Sequence, residues 1–389
     1  MLPEYFEFLN PVKMLCGSGA LENIPYELDR LGVKKPLALV SRTLLEEGII
    51  ERIGGKLDAV IQSDIPKDSS FSLVDSVAQR AREEGCDGVL AIGGGSVLDT
   101  AKAVRALLSQ GERTLRAMLG SEWLTRGQPV PFVMVPTTSG TGSECTGVAV
   151  VQDDRSHLKQ EIVSDQFLPD VAVLDPRSTK SLPPRLTAAS GMDALTHAIE
   201  AYTSAVANPI SSALALQAME MIAQDLKRCW ETPSDREAQS AMMLASTMAG
   251  AAFINSDVGA VHAVAETVGV AYHIPHGVAN SLFLPYVMEF NRAGNEAYYA
   301  RIAHRLGAAE PGAGDGENAK RSIRFVEELI ARLEIPAFAS FPQVDPADFE
   351  ALAARAAKSP MSLDNRKPIE KEDYVRILRD AYQSKKIYR

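Results

Sequence analysis

Short apolar runs alternate with helix-like stretches over the first 185 residues, and this alternation constrains the fold more than any other feature. Five runs are nearly continuous in apolar residues: PLALVS (36–41), DAVIQSDI (58–65), GVLAIGGG (88–95), PFVMVPTT (131–138) and VAVLD (171–175). The stretches between them include LLEEGIIERIGGKL (44–57) and SLVDSVAQRAREEG (72–85). Strands of this kind are typical of a parallel sheet with helices on both faces. We therefore predict an N-terminal doubly wound α/β domain, residues 1–185.

The strand signal fades after Pro183 and Pro184, and Ala, Met and Leu then recur at helical spacing. This spacing predicts helices over 192–204, 209–230, 235–254, 319–333 and 347–357. We therefore predict a second domain, residues 186–389, that is entirely helical. A cleft between the two domains is the expected ligand site.

Composition excludes several classes of protein. Hydrophobic residues make up 46% of the chain and charged residues 23%, as in soluble globular proteins rather than disordered ones. The formal net charge of −10 argues against a nucleic-acid partner. The longest weakly polar run, 241–254, is shorter than the roughly 20 residues of a membrane span. The N-terminal residues lack a basic segment and the cysteines form no CxxC motif, so we expect a cytoplasmic location.

A glycine turn joins the strand GVLAI to the helix-like stretch VLDTAKAVRALL. Gly94, Gly95 and Ser96 lie in this turn, where free N–H groups and the helix dipole favour a phosphate. Leu98 stands where a third glycine would complete GxGxxG, so the usual dinucleotide fingerprint is absent. The alternative interpretation is a tight turn in which Ser96 and Asp99 only cap the helix.

A second loop, PTTSGTGS (136–143), follows the next strand. Ligands of open α/β sheets bind at the carboxyl ends of strands, so Thr137 and Thr138 are candidate nucleotide contacts. The alternative is a loop whose hydroxyl groups satisfy their own backbone.

Four of the six histidines fall between residues 197 and 276. Asp193 and His197 are four residues apart, which places both on one face of a helix. His262 lies on another predicted helix, and His276 stands between Pro275 and Gly277 at a helix entrance. One carboxylate and three imidazoles suit a divalent cation such as Fe²⁺ or Zn²⁺. The alternative is a set of separate core histidines that bind no metal.

Five ordered motifs carry a resemblance to a known family: GGGSVLDTAK (93–102), PTTSGTGSE (136–144), DPRSTKSLPP (175–184), GMDALTHAIEAYTS (191–204) and HIPHGVAN (273–280). With them the chain resembles the iron-dependent (group III) alcohol dehydrogenases. The resemblance implies a Rossmann-like α/β domain, a helical metal domain and a homodimer. It also implies reversible hydride transfer between a nicotinamide cofactor and a small alcohol or carbonyl bound to the metal, which is Fe²⁺ by preference and Zn²⁺ as the alternative.

The resemblance also implies roles for individual residues. The metal ligands of the family fall on Asp193, His197, His262 and His276. Its pyrophosphate turn falls on Gly94, Gly95 and Ser96, with Asp99 nearby. Its contacts on the nicotinamide side fall on Thr137, Thr138 and Lys159.

Two positions depart from the commonest pattern of that family. Many members carry Asp where this chain has Ser41, followed by Arg42, so we predict NADP(H) in preference to NAD(H). Many members carry a second histidine where this chain has Glu266. We predict that His273 relays the proton and that Glu266 orients a ligand histidine. The alternatives are a loop residue at the cleft rim for His273 and a surface or salt-bridged carboxylate for Glu266.

Two competing functions remain to be weighed. A lyase resembling dehydroquinate synthase would need Lys and Arg around the metal for its polyanionic substrate, but the stretches flanking His197 and His262 are apolar. A nucleotide-binding protein without catalysis is expected to lose metal ligands, and all four are present. The sequence therefore favours a metal-dependent alcohol dehydrogenase acting on small alcohols or aldehydes.

Overall fold

The computed structural model describes residues 4–53, 57–120, 129–156, 158–180 and 182–384. The chain divides into two compact units. The α/β unit comprises Asn10–Thr138 and Gly142–Ser181. The helical unit comprises Met1–Leu9, Ser139–Thr141 and Leu182–Arg389.

Eight strands lie in the described part of the α/β unit: β1 (Lys13–Cys16), β2 (Pro36–Val40), β3 (Val60–Gln62), β4 (Gly88–Gly93), β5 (Phe132–Pro136), β6 (Val148–Gln152), β7 (Lys159–Val163) and β8 (Val171–Leu174). Six of them form a parallel sheet in the order β1-β8-β5-β4-β2-β3. Every residue of β2, β4, β5 and β8 is buried, which explains their continuous apolar sequences. β6 and β7 form a separate antiparallel pair.

The described helices of the α/β unit are α1 (Ile24–Arg30), α2 (Arg42–Glu46), α3 (Ile49–Arg52), α4 (Phe71–Glu83), α5 (Gly95–Gln110) and α6 (Leu115–Met118). Those of the helical unit are α7 (Pro184–Thr203), α8 (Pro209–Glu231), α9 (Arg236–Phe253), α10 (Ala260–Tyr272), α11 (His276–Arg292), α12 (Glu296–Arg305), α13 (Asp315–Arg332), α14 (Phe349–Ala356) and α15 (Lys371–Gln383). In the ranges that the structure describes, no helix is long and apolar enough to cross a membrane.

The fold class predicted from the sequence is confirmed: a parallel α/β sheet precedes an all-helical part. Several local predictions differ. The stretch 44–57 gives two short helices because Gly48 between them adopts a left-handed φ of 75°. The strand predicted over 58–65 narrows to β3, residues 60–62. β1, β6 and β7 were not predicted, although β6 contains the apolar run VAVV.

Helix α7 lies at the centre of the helical unit. Every residue from Gly191 to Thr203 is buried. A Cβ on Gly191 would lie only 2.1 Å from the Leu226 side chain, so α8 packs closely against this helix. Polar side chains on such a helix need partners, because an unpaired buried polar group is costly. Asp193, His197 and Glu200 are three such buried polar side chains on α7.

Candidate metal centre and nucleotide-binding residues

The four predicted metal ligands lie together in the structure. One ligand atom from each of Asp193, His197, His262 and His276 lies within 4.8 Å of the others. Asp193 and His197 lie one turn apart on α7, His262 is in the first turn of α10, and His276 is the first residue of α11. The first three are buried, whereas the side chain of His276 is 44% exposed. The cluster is therefore accessible from one side.

The chemistry of this donor set fits a divalent cation. Nδ1 of His197 is buried and has no hydrogen-bond partner among the described residues. Burial lowers the pKa of His197 to about 3, although Asp193 opposes this shift. His197 is therefore neutral at physiological pH, and the neutral imidazole is the form that binds a metal. A carboxylate with three imidazoles is a typical site for Fe²⁺ or Zn²⁺.

Three residues that the sequence analysis did not assign surround the ligands. Glu200 on α7 is hydrogen-bonded to Nδ1 of His262. Asn280 on α11 places its Nδ2 atom 2.7 Å from Oδ1 of Asp193. The ring of Phe253 stacks on that of His197 with centroids 4.4 Å apart, which covers one face of this ligand with apolar surface.

The sequence contained a signal for two of these residues. Glu200 follows Asp193 by seven residues and His197 by three, so all three share one face of α7. Asn280 follows His276 by four residues on α11. Spacing from a predicted ligand therefore identifies both as neighbours of the site.

His273, the predicted proton relay, and Glu266, predicted to orient a ligand histidine, are not among the four clustered ligands. His273 ends α10 in a left-handed conformation, with φ of 53°, and its side chain is exposed. Burial alone would lower the pKa of His262, but Glu200 and Asp193, and Glu266 to a smaller extent, raise it above its ordinary value. At His262 the orienting hydrogen bond comes from Glu200 rather than Glu266. The roles assigned to His273 and Glu266 stay predictions.

The glycine turn lies beside Thr137 and Thr138 in the α/β unit. Gly94 precedes α5, and Gly95 and Ser96 form its first turn, where backbone N–H groups are available to an anion. Thr137 N donates to the carbonyl of Gly93 at 3.0 Å. A Cβ on Gly94 would lie 3.3 Å from Cγ2 of Thr138. The predicted phosphate turn and Thr137–Thr138 therefore occupy the adjacent ends of β4 and β5.

Asp99 does not pair with Ser96 to cap α5. Its carboxylate accepts hydrogen bonds from Ser143 Oγ at 2.9 Å and from Val150 N at 3.2 Å. The Ser96 hydroxyl instead donates to the carbonyl of Lys67. The capping alternative is therefore wrong, and Asp99 joins α5 to β6. Its contact with a cofactor stays a prediction.

One loop, residues 64–68 after β3, binds three of the predicted cofactor contacts. Asp64 forms an ion pair with Arg42. Asp68 forms an ion pair with Lys159 at 2.8 Å, and Lys67 accepts the bond from Ser96 described above. Ser41 precedes α2, and its side chain makes no capping hydrogen bond. Asp64 and Asp68 therefore place two carboxylates beside predicted cofactor contacts.

Comparison with known proteins gives a consistent result across the chain. Residues 11–176 match the family described as iron-containing alcohol dehydrogenase. Residues 187–382 match the C-terminal part of the Fe-containing alcohol dehydrogenase family.

Individual relatives agree with these matches. A probable alcohol dehydrogenase, EutG, of Salmonella typhimurium is 40% identical over 77% of this chain and 76% of its own length. The NAD-dependent methanol dehydrogenase of Bacillus methanolicus is 33% identical over 96% of this chain and 99% of its own. A crystal structure of a 1,3-propanediol oxidoreductase superposes with a TM-score of 0.91, at 32% identity, over 97% of this chain and 100% of that one. These matches confirm the resemblance seen in the motifs.

Proposed function

The chain belongs to the family of iron-containing alcohol dehydrogenases, and on that premise we propose which residues carry its reaction and which cofactor it prefers. It is a metal-dependent oxidoreductase that uses a nicotinamide cofactor and acts on small alcohols and aldehydes. We assign the catalytic cation, Fe²⁺ in preference to Zn²⁺, to Asp193, His197, His262 and His276. The observation that carries this assignment is the convergence of their ligand atoms within 4.8 Å.

The chain's own residues supply binding, orientation and proton transfer. A bound divalent cation supplies Lewis acidity, which lowers the pKa of an alcohol. Asp193 would contribute one negative charge to the bound cation and the neutral His197 none. Part of the positive charge would therefore remain to polarise the alcohol. Phe253 shields His197 from water on one face. The N–H groups around Gly94, Gly95 and Ser96 bind the pyrophosphate of the cofactor, and Asp99, Thr137, Thr138 and Lys159 border that site.

Oxidation of an alcohol also releases one proton from its hydroxyl group. We assign its transfer to His273, because an imidazole can both accept and donate a proton and this side chain is exposed to solvent. We assign to Glu266, one turn after His262 on α10, the orientation of a ligand histidine; its charge also helps to raise the pKa of His262.

The relative from Bacillus methanolicus is named NAD-dependent. This chain's own residues after β2 favour a different cofactor. No carboxylate follows β2 at Ser41, and Arg42 comes next. Arg42 is paired with Asp64, but the two side chains are 64% and 70% exposed. Exposed ion pairs contribute only about 0–1 kcal/mol, so a 2′-phosphate can replace Asp64 as the partner of Arg42. We therefore assign NADP(H) in preference to NAD(H).

We also propose a cytoplasmic homodimer. Leu9, Val206, Ile210 and Leu363 are apolar yet between 44% and 83% exposed. Hydrogen bonds join the segments that carry them: Ala205 to Asp364, and both Leu9 and Asn208 to Asn255. Exposed apolar surface of this kind is typical of an interface. The cytoplasmic location is supported by the scattered cysteines of the sequence.

Removal of single ligands tests the proposed function. Asp193→Ala and His262→Ala should each lose the metal in elemental analysis and lose NADPH-dependent reduction of a short aldehyde. Their affinity for NADPH should stay as in wild type, because the glycine turn belongs to the other unit. His304→Ala is the matched control, since His304 is an exposed histidine on α12. If His262→Ala retains stoichiometric metal at wild-type affinity, the assigned site is wrong.

A further inference from the structure

A chain of buried hydrogen bonds runs through the metal cluster from Glu200 to Asp193. Oε2 of Glu200 is bonded to Nδ1 of His262, and Nε2 of His262 lies 3.2 Å from Nδ2 of Asn280. The same Nδ2 donates to Oδ1 of Asp193 at 2.7 Å. All four residues are at most 5% exposed. The chain thus links the ligands His262 and Asp193 through Asn280 and ends at Glu200, and neither of these two residues is a ligand.

The chemistry of these groups fixes where the protons lie. An ionised carboxylate only accepts hydrogen bonds, so Nδ1 of His262 carries the proton that bonds to Glu200. Nε2 of a neutral His262 then carries a lone pair. Nδ2 of Asn280 carries two hydrogens but has three acceptors within reach: Oδ1 of Asp193 at 2.7 Å, and Nε2 of His262 and of His276, each at 3.2 Å. Its shortest hydrogen bond is to Asp193. The acceptors around Asn280 are therefore lone pairs of ligand atoms, whereas Oε2 of Glu200 accepts from the other ring nitrogen of His262.

The two oxygens of Glu200 have separate tasks. Oε1 accepts the backbone N–H of Val261 at 2.7 Å, at the start of α10, while Oε2 faces His262. A Cβ on Gly259, the residue that precedes α10, would lie 3.1 Å from Oε1, so the glycine gives the carboxylate room. A merely structural role would be satisfied by Oε1 alone. The bond between Oε2 and Nδ1 of His262 has a separate effect, because it sets which ring nitrogen of His262 carries the proton.

We infer that Glu200 and Asn280 are positioning residues that set the lone pairs of His262 and Asp193 for the metal before it binds. Glu200 fixes the His262 tautomer, and Asn280 fixes the rotation of the Asp193 carboxylate. The inference rests on the proposed metal site. Partners of metal ligands typically contribute 10–100-fold to metal affinity, and we expect an effect of about this size from each residue.

Glu200→Gln tests the role of Glu200, because glutamine keeps the volume but has one oxygen instead of two. When that oxygen accepts from Val261, the amide nitrogen faces Nδ1 of His262 and favours the tautomer protonated on Nε2, which cannot bind a metal through Nε2. The readouts are the ring ¹⁵N shifts of His262 in metal-free protein and the Kd for Zn²⁺ from competition with a chelator. We expect the Nε2–H tautomer to appear and Zn²⁺ to bind about 10–100-fold more weakly.

Asn280→Leu tests the other half of the chain and does not depend on whether Glu200→Gln folds. Leucine has a similar size but no hydrogen-bond donor. We expect Zn²⁺ affinity to fall about tenfold, while Nδ1 of His262 stays protonated because Glu200 is intact. Glu220→Gln is the control, since Glu220 is a partly exposed glutamate on α8 paired with Arg305.

The outcomes separate this inference from the proposed function. If wild type and His262→Ala bind Zn²⁺ equally, the metal site itself is wrong. If His262→Ala loses Zn²⁺ but Glu200→Gln keeps the wild-type tautomer and affinity, Glu200 has no positioning role. Wild-type affinity in Asn280→Leu would likewise overturn the role of Asn280.

Discussion

A Cβ atom on Gly277 would lie 2.2 Å from the carbonyl oxygen of Ala189, which is well inside van der Waals contact. The same Cβ would lie 3.3 Å from Cβ of Asp193. Gly277 is the second residue of α11 and directly follows the ligand His276, while Ala189 and Asp193 belong to α7. The absence of a side chain at Gly277 therefore lets α11 approach α7 closely enough for His276 to share a site with Asp193.

We predict that Gly277→Ala separates the first turn of α11 from α7. The clash is with backbone, which cannot rotate away, so one of the helices must shift. Overpacking of this kind costs about 1–3 kcal/mol. Urea denaturation should show a loss of this size, and Zn²⁺ should bind more weakly because His276 moves from Asp193.

Gly316→Ala is the matched control for that change. Gly316 lies within α13, and no atom lies within 4 Å of a Cβ built on it. Alanine should therefore stabilise the helix by about 0.5–1 kcal/mol and leave metal affinity unchanged. If Gly277→Ala also leaves both quantities as in wild type, the close approach of the helices does not position the ligand.

Asp175, the first residue of the motif DPRSTKSLPP, stabilises the backbone around it through buried hydrogen bonds. Its side chain is fully buried and accepts hydrogen bonds from Gly19 N at 3.0 Å, Leu21 N at 3.2 Å and Arg177 Nε at 2.9 Å. Because an unmade bond to a buried charged group costs about 1.5–3 kcal/mol, Asp175→Asn should lower the free energy of unfolding by about this amount near neutral pH.

The pH dependence of this effect follows from the pKa of Asp175. Burial alone would raise that pKa, but the hydrogen bonds from Arg177 and Leu21 outweigh it and hold the pKa below its ordinary value of 3.8. A carboxyl with a depressed folded-state pKa stabilises the fold above the unfolded-state pKa, and this stability is lost as pH falls through the folded-state pKa. The difference between wild type and Asp175→Asn should therefore be constant above about pH 5 and shrink below about pH 4.

An exposed aspartate provides the comparison for Asp175. Asp29 pairs with Lys34 at 2.7 Å, and both side chains are more than 70% exposed. Asp29→Asn should leave the unfolding curve almost unchanged at every pH, since solvent screens this pair. A pH-independent loss of stability in Asp175→Asn would contradict the role of its charge.

The strands that were predicted best from the sequence are those buried on both faces of the sheet. β4 and β5 are buried on both faces, so their residues form continuous apolar runs that can be recognised without a partner. β6 buries only the alternate residues Ala149 and Val151, and β7, which reads KQEIV with three polar residues first, buries only Ile162. Such a segment becomes a strand through its pairing with β6, which the sequence does not reveal.

The residues of the site differ in the same way. Some are indicated by their spacing within one helix, and others only by contacts between elements that are distant in sequence. Asp193 and His197 share one helix face, so their spacing alone indicates a ligand pair. Glu200 lies on that face too, but a single glutamate on a helix usually faces solvent, and only the folded structure brings it to the first turn of α10, where it bonds to Val261 and His262. The pairing of Arg42 with Asp64 depends likewise on the adjacency of β2 and β3.

Asp64 should weaken the preference for NADP(H), because its carboxylate lies where a 2′-phosphate would meet Arg42. We predict that Asp64→Asn raises the ratio of kcat/KM for NADPH to that for NADH by about 2–5-fold, as expected for an exposed charge. Ser41→Asp should move the ratio towards NADH, since a carboxylate there accepts the ribose 2′-hydroxyl and repels a phosphate. Initial rates with both cofactors at a fixed aldehyde concentration measure these ratios.

Asp58→Asn controls for the loss of a negative charge near the same strand. Asp58 is exposed and precedes β3, whereas Asp64 follows it, so the two lie towards opposite ends of the strand. The control should keep the wild-type ratio. A wild-type kcat/KM that is higher with NADH than with NADPH would show that the assigned preference is wrong.

His273 needs a substitution that respects its backbone. Its φ of 53° is left-handed, where alanine is strained but asparagine and glycine are tolerated. We predict that His273→Asn folds as wild type but lowers kcat for alcohol oxidation, because it removes the proton relay. Positioned acid–base groups contribute about 10²–10⁴-fold. Stopped-flow and steady-state rates across about pH 6–9 measure the loss.

The direction of the pH effect separates proton transfer from a structural defect. Hydroxide accepts the alcohol proton more readily as pH rises, so the deficit of His273→Asn in oxidation should shrink towards alkaline pH. His273→Gly should behave in the same way, since both variants keep the left-handed backbone and lack the imidazole. His304→Asn, on the exposed face of α12, should show no deficit. If His273→Asn keeps the wild-type kcat over this range while Glu266→Gln loses it, Glu266 carries the proton and His273 only ends α10.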